Sequence, residues 1–99
     1  MKYLTDFVER FHPKFRSDLK KLEKNIIKEI KDIHLPKILK DPFLYDKLKG
    51  NLSQVRSYHF KSKKVEYRIA YTIEDKEIIF YLMVAKRENF YNKLTKRFK

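Results

Sequence analysis

The chain has 99 residues, of which 42% are apolar, and it carries 25 lysine and arginine residues against 13 aspartate and glutamate residues. A chain of this size can build one hydrophobic core but not two, so residues 1–99 are expected to form a single domain. The net charge of +12 predicts a polyanionic partner, with nucleic acid first and an anionic membrane surface second. Acidic residues on the polar face of the amphipathic stretch 15–33 argue against the membrane.

The residue types that are missing exclude several kinds of chemistry. Without cysteine, the chain has no disulfide, zinc-thiolate site or thiol nucleophile. A single glycine, Gly50, excludes the glycine-rich loops that bind nucleotide phosphates. Three dispersed histidines, with no carboxylate at ligand spacing, predict no metal site, and we expect no cofactor. The sequence shows no signal-peptide pattern and no long apolar run, so a cytoplasmic location is expected.

In chain order, the first predicted element is a strand over residues 3–11, which are rich in aromatic and β-branched side chains. His12-Pro13 then predicts a helix start, with proline in the first helical position. Apolar residues at helical spacing predict one buried stripe, formed by Phe15, Leu19, Leu22, Ile26, Ile27, Ile30 and Ile33. The spacing slips near residue 24, which indicates two helices packed as a hairpin, with Pro36 ending or kinking the second.

The second half of the chain predicts a sheet. A short helix over residues 42–49 is expected first, because Asp41-Pro42 is a helix-start signal and Gly50 a stop signal. The apolar period then changes to two, and three strands joined by tight turns at 62–64 and 74–75 are predicted over residues 55–61, 65–73 and 77–85. The last is a nearly continuous apolar run, which is typical of a central strand. A short basic helix or tail follows.

Together these elements predict an α+β fold, in which an N-terminal strand and a helical hairpin pack on an antiparallel sheet of about four strands. The alternation along the strands puts polar and apolar residues on opposite faces. One face is therefore expected to be open and to carry the functional side chains Ser57, His59, Lys61, Arg68 and Arg87.

The residue types on this face are those needed to cleave RNA without a metal ion. Cleavage needs a base for a 2′-OH, cations for the charge on the phosphate oxygens, and an acid for the 5′-oxygen. His59 titrates near neutral pH by type, and Arg68 and Arg87 each match a phosphate through two N–H groups. We expect Lys61 to position the RNA backbone, and Tyr91 to stack on a base or donate a proton. Electrostatic support for RNA binding is expected from Lys63, Lys64 and Lys86.

Four short motifs occur in a fairly specific order and spacing: KLKG at 47–50, RSYHF at 56–60, YRIAY at 67–71, and KREN at the end of the apolar strand, with Tyr91 behind it. Through them the chain resembles the RelE/ParE superfamily of type II toxins, over nearly its whole length. The resemblance implies a small α+β domain of the microbial ribonuclease type with β-α-α-β-β-β order. It also implies that the catalytic positions of the RelE-like branch fall on His59, Lys61, Arg68, Arg87 and Tyr91.

For the RelE-like branch, the resemblance implies a toxin that enters the A site of the 70S ribosome and cleaves the mRNA there. It also implies a cognate antitoxin, whose acidic and partly disordered segment wraps the toxin. Two features depart from the pattern: Ser57 stands where some members have lysine, and the spacing from Arg87 to Tyr91 is shorter than in some. The sequence therefore leaves open which of His59, Lys61 and Tyr91 is the base and which is the acid.

Two other functions remain open at this point. A ParE-like inhibitor of DNA gyrase would share the fold but act by binding a protein, without hydrolysis. A non-enzymatic RNA-binding module would hold phosphates on the same face, and His59→Ala would leave its function intact. The endoribonuclease is the preferred interpretation, because a gyrase binder has no need for an acid–base residue between two arginines.

Overall fold

The protein is described by a computed structural model over residues 7–98, so residues 3–6 of the predicted first strand lie outside the described residues. The first half contains β1 (Val8–Phe11), α1 (Phe15–Lys20), α2 (Lys24–Glu29), a π-helical turn (Ile30–His34) and α3 (Leu35–Lys40). The second half contains a 3₁₀ turn (Gly50–Leu52), β2 (Arg56–Ser62), β3 (Val65–Glu74), β4 (Ile78–Lys86), a second 3₁₀ turn (Arg87–Asn89) and α4 (Phe90–Phe98). None of these helices is long and apolar enough to cross a membrane.

The four strands form one sheet in the order β1-β4-β3-β2. The predicted α+β class, the order of the elements and the central place of the last strand are confirmed. One detail differs, because β2, β3 and β4 are antiparallel but β1 pairs with β4 in parallel. A parallel pair needs a long crossover connection, and the helices, β2 and β3 between β1 and β4 supply it.

The β2–β3 turn has two residues, Lys63 and Lys64, and the β3–β4 turn has three, residues 75–77, so each turn starts one residue later than the sequence indicates. Lys63 and Lys64 have φ values of 50° and 72°, and Asp75 and Lys76 have φ values of 52° and 60°. Two consecutive residues with positive φ fit the right-handed twist of the flanking strands. Asn-Gly is the usual sequence in such turns, because positive φ is costly for bulkier residues. The pairing of the strands on either side must therefore hold these residues in this conformation.

The helical layer packs on one face of the sheet over a core rich in aromatic and isoleucine side chains. Its fully buried members include Phe15, Ile26, Ile30, Ile38, Ile69, Tyr71, Ile79 and Tyr81. Most of the predicted stripe faces this core, but Ile33 is 45% exposed, and that prediction was wrong. The π-helical turn explains the difference: it widens the repeat, so that His34 rather than Ile33 takes the buried place between Ile30 and Ile38.

Pro36 does not end the helix, which continues to Lys40. It lies in the first turn of α3, directly after the π-helical turn. A proline ring lacks the N–H of the regular ladder and crowds the preceding turn, and the wider π turn accommodates both effects. The predicted start of the first helix is also early, because Pro13 and Lys14 form a turn that is closed by the Phe15 N–H, which donates to the His12 carbonyl at 2.9 Å.

Residues 42–49 form no helix, contrary to the sequence-based prediction. The Arg56 guanidinium donates to the carbonyl oxygens of Phe43 (3.1 Å) and Tyr45 (2.7 Å), and the Tyr71 hydroxyl donates to that of Pro42 (2.6 Å). These tertiary bonds take the carbonyl groups that a helix would use for its own ladder, so the segment follows the sheet instead.

The second face of the sheet is not fully open, as the sequence suggested, because α4 and residues 48–55 cover part of it. A second core lies beneath them, formed by Val55, Ala70, Leu82, Met83, Ala85, Phe90 and Leu94. A β-bulge contributes to it: Ala70 pairs with Met83 and Tyr71 with Tyr81, which leaves Leu82 as an extra residue. Ser57 is only 4% exposed on this face. The open part is the end near the β2–β3 turn.

Candidate functional site

The pairing of β2 with β3 brings three of the predicted positions together. His59 lies opposite Arg68 and Lys61 lies opposite Glu66. Directly opposed residues have Cβ atoms about 5 Å apart, and alternation puts all four on the same face. His59 and Lys61 are exposed and Arg68 is partly buried, so this end of the sheet presents a basic surface to solvent.

Arg87 reaches the same surface from the end of β4. It follows the last residue of that strand and opens the 3₁₀ turn that leads to α4. Its Nη1 atom lies 3.4 Å from Oε1 of Glu66, and the two side chains are 62% and 49% exposed. Exposed pairs of this kind contribute little to stability, about 0–1 kcal/mol. The guanidinium is therefore available to a ligand.

Arg68 is held against the aromatic rings of α4. Its Cζ atom lies 5.4 Å from the ring centroid of Phe90 and 5.8 Å from that of Tyr91. Phe90 is fully buried, whereas Tyr91 is 51% exposed and packs edge-on against Phe90. A guanidinium stacked on rings keeps its in-plane N–H groups for a carboxylate or phosphate. This contact places the C-terminal tyrosine beside the site.

The position of α4 depends on a buried ion pair whose two residues are not connected by any sequence pattern. Arg97 donates to both carboxylate oxygens of Asp18, at 2.6 and 3.0 Å, and to the Leu82 carbonyl at 3.0 Å. Asp18 also accepts the Val84 N–H at 3.2 Å. The four groups close the edge of β4 beyond the end of β1, where backbone groups would otherwise lack partners. Asp18 and Arg97 thereby fix α4, and with it Tyr91.

The electrostatics around His59 favour its neutral form. Its pKa lies below the ordinary value of 6.5, first because neighbouring groups shield the ring from water and second because of the positive charge of Arg68. Arg87 lowers this pKa further, whereas the carboxylates of Asp46 and Glu66 oppose the shift. An imidazole in such a site can exchange protons near neutral pH.

The supporting lysines lie at the margin of this group. Lys63 and Lys64 form the β2–β3 turn and are exposed. Lys86 is exposed too, but it lies opposite Tyr67, so it alternates to the other side of the sheet from Arg87. A cleft of about 500 Å³ runs along this margin, lined by Lys64, Val65, Glu66, Lys86, Arg87 and Glu88. A larger cavity of about 810 Å³, near Arg56 and Thr72, includes none of the predicted catalytic residues.

Sequence reasoning overlooked Glu66, although the signal was present. Glu66 stands two residues before Arg68, so the alternation of the strand already puts both on one face. It is the carboxylate that contacts Arg87 across the strands. Within residues 7–98, no three histidine, aspartate or glutamate side chains cluster as metal ligands would.

A polar network behind the site was also overlooked. The Tyr58 hydroxyl donates to Nδ1 of buried His34 at 2.7 Å, and Nε2 of His34 donates to Glu29 at 2.8 Å. Ser62 donates to the same carboxylate at 2.9 Å. Burial raises the pKa of Tyr58 to about 12, so this hydroxyl keeps its proton, and the bond from His34 lowers the pKa of Glu29. The network ties the helical layer to β2, whose opposite face carries His59.

Comparison with known proteins agrees with this fold. The family model for the ParE-like toxin of type II bacterial toxin-antitoxin systems matches residues 10–95. A double arginine mutant of the E. coli toxin RelE in the free state is similar with a TM-score of 0.73 and 22% identity, covering 95% of this chain and 99% of that chain. The RelBE2 toxin-antitoxin complex from Mycobacterium tuberculosis is similar with a TM-score of 0.71 and 24% identity, covering 83% of this chain and 99% of that chain.

The intact E. coli RelBE toxin-antitoxin complex is similar with a TM-score of 0.62 and 20% identity, covering 81% of this chain and 95% of that chain. Among curated proteins, no sequence match is found. The family match spans most of the chain, and the structural likenesses agree with it in fold. This chain belongs to the ParE-like toxin family of type II toxin-antitoxin systems, and the predicted RelE/ParE resemblance is confirmed.

Proposed function

We propose that the chain is a ribosome-dependent endoribonuclease that cleaves mRNA in the ribosomal A site, in the cytoplasm. The observation that carries the proposal is the grouping of His59, Arg68 and Arg87 at the open end of the sheet. Two guanidinium groups beside a titratable imidazole can bind one phosphate and move protons around it. A toxin that only bound a protein would not need this combination.

The proposed reaction uses the RNA's own nucleophile and no protein-bound metal. The 2′-oxygen attacks the adjacent phosphorus, the bond from phosphorus to the 5′-oxygen breaks, and a 2′,3′-cyclic phosphate and a 5′-hydroxyl result. Arg68 and Arg87 stabilise the charge that develops on the phosphate oxygens. His59 exchanges a proton, Lys61 positions the RNA backbone and exposed Tyr91 stacks on a base. A more distant attraction for RNA comes from Lys63, Lys64 and Lys86.

We also propose that the chain has a cognate antitoxin with an acidic segment. The net charge of +12 favours such a partner. Similar structures include RelBE toxin-antitoxin complexes and a RelE mutant in complex with a peptide of the antitoxin RelBc. The basic surface proposed for RNA is available to either partner.

The test is primer extension on an mRNA translated in a cell-free system with added toxin. We expect cuts inside A-site codons that require ribosomes, and we expect the cuts to disappear with Arg87→Ala and His59→Ala. Arg16→Ala is the matched control for charge, because Arg16 is an exposed arginine on the helical layer, and it should cut like the wild type. Intact mRNA alongside full inhibition of growth would overturn the proposal.

One observation favours a second function. The family model that matches the chain is named for ParE-like toxins, and the ParE branch inhibits DNA gyrase without hydrolysis. In that case purified toxin would inhibit supercoiling by gyrase, mRNA would stay intact, and His59→Ala would inhibit as well as the wild type. If the chain binds RNA but neither cleaves mRNA nor inhibits supercoiling by gyrase, it is a non-enzymatic RNA-binding module.

A further inference from the structure

A carboxylate lies among the cations of the proposed RNA site. Glu66 is opposite Lys61 on the paired strand, 3.4 Å from Nη1 of Arg87, and two residues before Arg68 on the same face. A negative charge here repels the phosphate that these cations attract, so it lowers affinity for RNA. Because Glu66 weakens the binding of RNA, we expect its role in the cleavage step instead.

The position of Glu66 suits the removal of a proton from the 2′-OH. The attacking 2′-oxygen must lie beside the phosphorus, and therefore beside whichever group holds the phosphate. Glu66 is the carboxylate in direct contact with Arg87. A general base must come within hydrogen-bond reach of the proton it takes, and a carboxylate accepts hydrogen bonds without having to lose a proton first. The ammonium group of Lys61, directly opposite, has hydrogen-bond donors but no acceptor, so it is poorly suited to that role.

His59 is a titratable group placed across the strand pair from Glu66. It is diagonal to Glu66 across the β2–β3 pair, and diagonal neighbours on one face have Cα atoms about 7–8 Å apart. A phosphate fits between side chains at that separation. A base on one side of the phosphorus and an acid on the other is the arrangement that in-line displacement requires.

We propose that Glu66 is the general base and His59 the general acid of the cleavage step, an assignment that rests on the proposed endoribonuclease function. The 2′-OH proton moves to Glu66 as the bond from the 2′-oxygen to phosphorus forms. His59, protonated, gives its proton to the 5′-oxygen as the bond from phosphorus to that oxygen breaks. The step leaves Glu66 protonated and His59 neutral, and exchange with water restores both.

The assignment predicts that kcat/KM has an alkaline limb set by His59. The general acid must carry its proton, so activity is lost as His59 becomes neutral with rising pH. The lowered pKa of His59, set mainly by desolvation and Arg68 and opposed by Asp46 and Glu66, puts the alkaline limb below pH 6.5. If neutral His59 were the base, kcat/KM would instead rise with pH through this range and stay high.

The experiment is single-turnover cleavage of ribosome-bound mRNA between pH 5 and 8, with wild type, Glu66→Gln, Glu66→Asp and Glu88→Gln. Glu88 is an exposed carboxylate that lines the same cleft, so its change to Gln is the matched control for charge. We expect Glu66→Gln to lower kcat by about 100-fold or more while the alkaline limb set by His59 stays in place. Glu66→Asp, which keeps the carboxylate, should lose less activity, and Glu88→Gln should stay within about twofold of wild type.

Two results would overturn the assignment while leaving the nuclease intact. In one, Glu66→Gln cuts as fast as Glu88→Gln. In the other, Glu66→Gln changes only KM and leaves kcat unchanged, which would mean that Glu66 merely positions Arg87. If the wild type does not cut but Arg16→Ala and the wild type still block growth, the proposed function itself fails and the assignment fails with it. Equal melting temperatures of the variants, measured in parallel, show that the fold is unchanged.

Discussion

Two arginine–carboxylate pairs involve residues at opposite ends of the segment formed by the second 3₁₀ turn and α4. They differ in solvent exposure, in the number of hydrogen bonds and in distance. Arg97 and Asp18 are 12% and 4% exposed and meet through two hydrogen bonds of 2.6 and 3.0 Å. Arg87 and Glu66 are 62% and 49% exposed and meet through one contact of 3.4 Å. The first pair is buried and is hydrogen-bonded to protein groups instead of water, whereas the second pair is still largely solvated.

This difference in burial indicates different roles: the buried pair stabilises the structure around the site, and the exposed pair is free to take part in its chemistry. A buried pair is costly to break, because the remaining charge has neither water nor a partner. An exposed pair exchanges partners at little cost, so its arginine can pass from a carboxylate to a phosphate. We therefore assign Arg97 to the docking of α4, and we expect Arg87 to act on RNA.

The largest effect is expected from breaking the buried pair. Arg97→Ala leaves the Asp18 carboxylate and the Leu82 carbonyl without their partner, and should lower the free energy of unfolding by about 3–5 kcal/mol. Urea denaturation measures the change. Lys96→Ala, at the exposed neighbouring position in α4, should stay within about 0.5 kcal/mol. Equal stability of the two variants would contradict the structural role of the pair.

The next effect concerns the exposed pair and should appear in activity instead. Arg87→Ala removes a cation from the proposed transition state, and we expect cleavage to fall by about 10²–10³-fold. The free energy of unfolding should change by no more than about 0.5 kcal/mol, because the side chain is exposed. A variant that loses stability and activity together would show that the two pairs do not differ in role.

A smaller effect tests the contact between Arg68 and α4. Arg68→Lys keeps the charge but loses the planar group that lies over the rings of Phe90 and Tyr91. We expect about a tenfold loss of cleavage, with the free energy of unfolding lowered by about 0.5–1 kcal/mol. The same change at Arg16, on the helical layer, serves as control. Full activity of Arg68→Lys would mean that charge alone matters at this position.

The smallest effect is a pH dependence of stability. The pKa of His59 is lower in the folded chain than its ordinary value of 6.5, so the unfolded chain takes up this proton first as the pH falls. The contribution of His59 to stability is therefore lost as the pH drops below 6.5, and the loss ends once His59 is protonated in the folded protein too. In thermal melts at pH 7 and pH 5, His59→Gln should lose less stability than the wild type. An equal loss would contradict the direction of the shift.

The strands of the second half and the face on which His59 and Arg68 lie could be predicted because their signal is local. Alternation placed Tyr67, Ile69 and Tyr71 on one side of β3 and Arg68 on the other, and the structure agrees. Side-chain direction in a strand repeats every two residues whatever the rest of the chain does. The functional roles of His59 and its neighbours remain predictions.

The errors fall where tertiary contacts override local signals. Residues 42–49 carry helix-start and helix-stop residues, yet Arg56 and Tyr71, from the sheet, hold their carbonyl groups in an irregular path. The buried place of His34 could not be predicted either, because it depends on the change from α to π geometry. In both cases the deciding partner is distant in sequence.

By itself, the sequence determined the α+β class, the order of the elements, the excess of positive charge and the face on which His59 and Arg68 lie. These properties depend on composition and on the strand period of two residues and the helix period of about 3.6 residues, which act over short stretches of chain. The tertiary structure decided the covering of the second face by α4, the pairing of Asp18 with Arg97 across 79 residues and the contact of Glu66 with Arg87. Such contacts depend on which strands and helices become neighbours, and no local period encodes that.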